Sequence, residues 1–241
     1  MNRHHQEILE AIHANSGTPT QHTFLDRYLG NKYPKYAINN PTLRRIAKEW
    51  MRDNLNLSPR EFKNVISSLV KGRSATEKMI AGMILDASKP AQRNFKPAIF
   101  DQWLNHIKGW ALVDSLCTGS YTADELPQQW SAWKMLLIKL SKSNNINKRR
   151  ASLVFLCSPV RRHHEKKLAE VALANIDRLK HEKEILITKA ISWLLRSLIK
   201  HHKKMVTDYV NKNKLTLPSL AVRETRKVIK TGKKSGKFSE N

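Results

Sequence analysis

Apolar residues recur along this chain at spacings of three and four rather than alternating. The spacing runs from Ile8 to Ile12, Leu43 to Ala47, Phe62 to Leu69 and Met79 to Leu85. It resumes from Phe100 to Ile107, Trp130 to Leu140, Leu153 to Cys157, Leu168 to Leu173, Ile187 to Ile199 and Leu220 to Ile229. Such spacing gathers apolar side chains on one face of a helix. Breakers stand between the runs: Asn40-Pro41, Ser58-Pro59, Gly72, Lys89-Pro90, Gly119, Ser158-Pro159 and Leu217-Pro218. Ser58-Pro59-Arg60-Glu61 reads as a helix start, with Ser as cap, Pro at the first position and Glu at the third. The pattern predicts an all-α chain of about 12 helices with short loops. An irregular bundle or a stack of helical hairpins would fit. A HEAT-like helical-repeat solenoid, at about 40 residues per pair, takes up this length in about six helix pairs. Such a solenoid curves around a concave surface suited to a long ligand.

Composition narrows the class. Hydrophobic residues make up 40% of the 241, enough for a real core and too many for a disordered basic tail protein. The expected organisation is one domain over 1–230 and a basic, disordered tail over 231–241. No apolar run approaches the roughly 18 residues of a membrane-spanning helix. The start, MNRHHQEILEAIH, lacks the apolar core of a secretory signal. Two cysteines, Cys117 and Cys157, cannot build a disulfide framework. A cytoplasmic, nucleoid-associated location is therefore expected, with no membrane contact.

Charge then points to a partner. The net charge is +24, which asks for a polyanion. It is unevenly placed. Positions 1–138 hold 18 Lys+Arg against 12 Asp+Glu, a net +6, whereas 139–237 hold 26 against 7, a net +19. A basic surface on that scale predicts nucleic acid.

Three segments break the ordinary helix pattern. In Gly109-Trp-Ala-Leu-Val-Asp-Ser-Leu-Cys117, Leu112 and Leu116 share one face, while Trp110 and Asp114 are neighbours at i and i+4 on almost the opposite one. Asp114 is either a buried acceptor on a second packing face or a carboxylate held out for chemistry. In the helix from Ile187 to Ile199, Ile187, Ala190, Ile191, Leu194, Leu195 and Leu198 form the apolar stripe. Trp193 lies off it, beside Lys189, Arg196 and Lys200. A ring among cations either packs on the next helix or meets sugar and base while the cations meet phosphate. In Asn147-Lys-Arg-Arg-Ala-Ser-Leu-Val-Phe155, Arg150 shares a stripe with Val154 and Cys157, so it pairs with a carboxylate or clamps a phosphate. Lys148 and Arg149 are phosphate contacts or solvated charges.

Together these segments resemble the AlkD-like DNA alkylation repair glycosylases, built from HEAT-like repeats. The resemblance rests on Trp110-Ala-Leu-Val-Asp114, Arg149-Arg150-Ala151 and Lys189-Ala-Ile-Ser-Trp193-Leu-Leu-Arg196. Asp26-Arg-Tyr28-Leu29, Ile38-Asn-Asn-Pro41-Thr-Leu-Arg44-Arg45 and Leu217-Pro-Ser-Leu-Ala-Val-Arg223-Glu224 extend it over roughly residues 24–229. The turn around Gly30 to Ala37 departs from the family, and a small insertion near Arg178–Glu184 is expected to lengthen a loop.

The resemblance implies roles. Trp110 and Trp193 would wall a concave cleft, Asp114 would be the catalytic carboxylate, Arg150 would hold phosphate and Tyr28 would add a further ring. It implies hydrolytic excision of positively charged alkylpurines of the N3-methyladenine and N7-methylguanine type from duplex DNA. The base would not be fully captured, and no metal or cofactor would be used. A monomer is expected. The alternative is a catalytically silent relative that binds distorted or branched DNA; a protein–protein scaffold fits the charge poorly. The pairs His4-His5, His163-His164 and His201-His202 diverge by about 100° on a helix and make poor metal clamps. No Gly-rich phosphate loop is present.

Overall fold

The computed structural model describes residues 2–17 and 30–234. Among these the chain is helical, as its spacing predicts. The helices are α1 (Arg3–Ala14), α2 (Asn40–Asp53), α3 (Pro59–Val70), α4 (Ala75–Ala87), α5 (Ile99–Trp103), α6 (Trp110–Cys117), α7 (Tyr121–Gln128) and α8 (Trp130–Ser141). They continue as α9 (Ile146–Cys157), α10 (Pro159–Arg162), α11 (Lys166–Leu179), α12 (Ile185–Lys212) and α13 (Ser219–Thr231). Short 3-10 turns occupy Pro90–Arg93 and Leu104–His106. Helices pack on neighbours one to three places away along the chain: α1 on α2 and α3, α4 on α2, α3 and α6, α9 on α11 and α12, and α12 on α13. That near-neighbour pattern is the mark of a helical-repeat solenoid, in which each unit buries its apolar face on the adjacent one. No described helix is long and apolar enough to cross a membrane.

Contacts divide the chain into two compact units, Met1–Leu136 and Leu137–Asn241. In the first, Phe100 gathers the core aromatics, with ring centroids 5.0 Å from Trp103, 5.4 Å from Trp133 and 6.2 Å from Tyr121. Helix starts are fixed by their own side chains. Ser58 and Glu61 form the capping box that the sequence predicts, and Ser74 with Glu77 forms a second at the head of α4. Glu77 is buried and reaches further: its Oε1 lies 2.9 Å from His5 Nε2, and its Oε2 accepts from Ser74 N at 2.6 Å. Burial alone would raise this carboxyl, but the hydrogen bonds from His5 and Ser74 outweigh it and hold the pKa at about 2. Next to it, burial pulls the Lys78 ammonium down to about 8, partly offset by the Glu77 charge. Lys78 Nζ donates to Val70 O at 2.7 Å and sits 4.7 Å from the Tyr33 ring centroid.

In the second unit α9 is the central helix. Ala151 and the run from Leu153 to Cys157 are almost fully buried, and buried Asn175 on α11 donates to Ser152 O at 3.2 Å. The stripe expected on α12 is buried throughout: Ile187, Ala190, Ile191, Leu194, Leu195 and Leu198 are each 0% exposed. The helix runs on past Ile199 to Lys212, across a kink at His202 (φ −129°, ψ 36°) that the apolar spacing did not announce. The segment near Arg178–Glu184, where a lengthened loop is expected, joins α11 to α12: Leu179 ends one helix and Ile185 begins the next. The tail expected from 231 is described as far as residue 234: Thr231 closes α13 and Gly232 caps it in the left-handed region. Residues 235–241 lie outside the described residues, as does Tyr28.

Candidate active site

α6 is short, eight residues, and starts abruptly. Gly109 precedes it at φ +86°, a conformation open to glycine without strain, and so turns the chain directly into Trp110. Val113 N donates to Gly109 O at 3.2 Å, closing the first turn. The far end is tied by Thr118, whose N–H and hydroxyl donate to Asp114 O at 3.0 and 2.7 Å. Leu112, Val113, Leu116 and Cys117 are buried. Trp110 and Asp114 stand off that face and are half-buried. The predicted division of the helix into an apolar and a Trp/Asp face therefore holds.

Both of these side chains line one pocket of about 740 Å³ within the first unit. The pocket's other walls come from α2, α4 and the segment before α2. Arg44 and Lys48, one turn apart on α2, bring positive charge, as does Lys35. Met79 and Met83 of α4 supply apolar surface, and Asp86 a second carboxylate. Asp86 is already engaged: its Oδ1 accepts from Ser120 N at 2.6 Å and Ser120 Oγ at 2.7 Å, tying α4 to the turn before α7. A half-buried carboxylate beside an indole, in a pocket rimmed by cations, can receive an anionic ligand that carries a cationic centre. Sequence reading missed Lys35, Lys48, Met79, Met83 and Asp86 as pocket residues, because nothing local marks them.

The other expected residues belong to the second unit. On α12, Lys189, Trp193, Arg196 and Lys200 follow one face at i, i+4, i+7 and i+11. Lys189 and Lys200 are exposed and Trp193 is half-buried. Arg196 turns back to the protein, with Nε 3.4 Å from Glu224 Oε2 and 3.3 Å from Ser192 Oγ. On α9, Arg150 is only 4% exposed and its Nη1 donates to Leu186 O at 2.5 Å, which joins α9 to the first turn of α12. Lys148 is half-buried. Arg149 is heavily committed. Its Nε and Nη2 grip both oxygens of Glu182 at 2.7 and 3.0 Å, and its Nη1 donates to Ser143 O and Asn144 O at 2.8 and 2.9 Å. Four of its five N–H donors are thus used inside the fold. Glu182 lies in the loop between α11 and α12, so that loop supplies the partner that closes this clamp.

Comparison with known proteins places the chain beside a family and a solved structure. Residues 8–229 match the family described as DNA alkylation repair enzyme. A solved structure described as a predicted DNA alkylation repair enzyme from Enterococcus faecalis has the same fold, with a TM-score of 0.69 and 17% identity over 85% of this chain and 92% of that one. No curated protein matches.

Proposed function

Since this chain belongs to the DNA alkylation repair enzyme family, we propose that it is a DNA glycosylase that removes positively charged alkylpurines from duplex DNA by hydrolysis. One observation carries the reading: Trp110 and Asp114 line a single pocket with Arg44 and Lys48.

The chemistry follows from the charge of the lesion. A purine alkylated at N3 or N7 is cationic, so it departs as a neutral base with both electrons of the glycosidic bond. Little acid catalysis is needed for that departure. The sugar left behind develops positive charge at C1′. An ionised Asp114 stabilises that charge and orients a water; the water oxygen bonds to C1′ and its proton passes to the carboxylate. The Trp110 face adds attraction to the same developing cation. Arg44 and Lys48 suit the flanking phosphates. In the second unit, Lys189, Trp193 and Lys200 suit a backbone contact, with the ring on sugar and the ammonium groups on phosphate. The burial of Arg150 and the internal hydrogen bonds of Arg149 favour a supporting role for both, Arg150 holding α9 to α12 and Arg149 holding the loops beside α9. No step calls on a metal or cofactor.

The test is release of N3-methyladenine and N7-methylguanine from methylated duplex DNA. Release by the wild-type chain is expected. Tight binding without release would sink the enzyme reading and leave a silent DNA-binding relative.

A further inference from the structure

The helix that carries Trp110 and Asp114 is held by two close backbone approaches, one of which leaves no room for a side chain. At its C-terminal half, α6 lies against Gly82 of α4. A Cβ placed on Gly82 would fall 2.2 Å from Ser115 O, 2.4 Å from Ser115 C and 2.6 Å from Ser115 Oγ. Real Cβ contacts do not go below 3.0 Å, and the nearest two atoms are backbone, which no rotamer change can move. Ser115 Oγ also donates to Met79 O at 2.9 Å, one turn earlier on the same face of α4. The pair is therefore fixed along the helix axis as well as across it. At the other end, a Cβ on Gly30 would fall 3.3 Å from Gly109 Cα, the residue that caps α6. Asp114 is bonded directly to Ser115, and Trp110 directly to Gly109.

We infer that Gly82 is a positioning residue for the proposed reaction. By admitting the Ser115 backbone to contact distance, it sets how far Asp114 and Trp110 reach into the pocket, and Gly30 sets the same helix at its start. This rests on the reading of Asp114 as the group that acts on the sugar. Gly82 acts only through α6. Any side chain at 82 must drive α6 from α4 by about 1 Å, a displacement that typically lowers a well-oriented reaction by about a hundredfold. Alanine is the better helix former, so α4 itself is not weakened by the change.

The experiment uses the full chain with Gly82→Ala. Single-turnover release of N7-methylguanine should fall about a hundredfold while duplex affinity holds. A generally loosened protein would lose both together, and that result, or release at the wild-type rate, would overturn the inference. If Gly82→Ala does not fold, Ser115→Ala takes its place: it removes the hydroxyl's tie to Met79 O and adds no atom. It should also slow release at unchanged affinity, and a wild-type rate would overturn the inference. A wild-type chain that releases no methylpurine would sink the reading of Asp114 instead. The positioning claim then stands or falls on a crystal structure of Gly82→Ala, with α6 displaced from α4 as expected or undisplaced against it.

Discussion

Replacing Glu77 with Gln should cost the first unit much of its stability near neutral pH and little in acid. Glu77 is 5% exposed, heads α4 and bonds to Ser74 and His5. Its carboxyl drops from an ordinary 4.5 to about 2, despite burial acting the other way, because the hydrogen bonds to His5 and Ser74 favour the charged form. A tenfold change in proton affinity is worth about 1.4 kcal/mol, so the ionised group contributes roughly 3 kcal/mol to folding. A depressed carboxyl pKa makes that contribution fully present above 4.5. It fades as pH falls toward 2, since the unfolded chain takes up the proton first. Urea unfolding followed by tryptophan fluorescence reads this unit selectively, because Trp193 alone of the six tryptophans lies beyond Leu136. Glu77→Gln should lower stability by roughly 3 kcal/mol at pH 7 and approach the wild type as pH drops toward 2.5. A gap that stays constant across that range, or one under about 0.5 kcal/mol at pH 7, would refute the reasoning.

Other outcomes follow from the second unit and from the charge. Arg149→Ala should lower thermal stability, as should Glu182→Ala, with little change in the salt dependence of DNA binding; a large drop in that slope would show Arg149 reaching phosphate instead. Lys189→Ala should do the reverse, leaving stability alone and reducing the slope by about 1. For the wild type, about six phosphate contacts give a log–log slope of affinity on salt of roughly −5, and a flat response would count against a backbone-dominated interface. Trp193→Ala should impair base release more than folding, whereas a large fall in melting temperature would mark the ring as packing. Burial, with His164 and His201 close by, lowers the His202 imidazole below its ordinary 6.5. Its neutral form is the one the fold holds, so stability should decline as pH falls below 6.5. His202→Leu should flatten that decline in melting curves from pH 7.5 to 5, and an unchanged slope would remove His202 as its source.

What the sequence disclosed and what it hid divide by distance along the chain. The α6 pattern was legible because it is local: Leu112 and Leu116 are buried, and Trp110 and Asp114 stand off them, as a helix of that spacing requires. The stripe of α12 was legible for the same reason. Ser58 to Glu61 announced its helix, and Ser74 to Glu77 carried the same signature unremarked. Arg150 sharing a stripe with Val154 and Cys157 already signalled burial, though not its bond to Leu186 O. The pairing of Arg149 with Glu182 joins residues 33 apart, and only the packed fold shows that the loop between α11 and α12 supplies it. Gly82 gave no local sign at all. A glycine inside a helical run reads as a weak point until Ser115 is found against it. The pocket is the same kind of object, assembled from α2, α4 and α6 by packing.

Single-turnover release of N7-methylguanine from methylated duplex DNA by Asp114→Asn, measured beside duplex affinity, tests the central claim most directly. The account predicts release slowed by about a hundredfold or more with affinity retained, because the amide keeps the shape of the side chain and loses the charge that steadies C1′. A variant that releases base as fast as the wild type would contradict it.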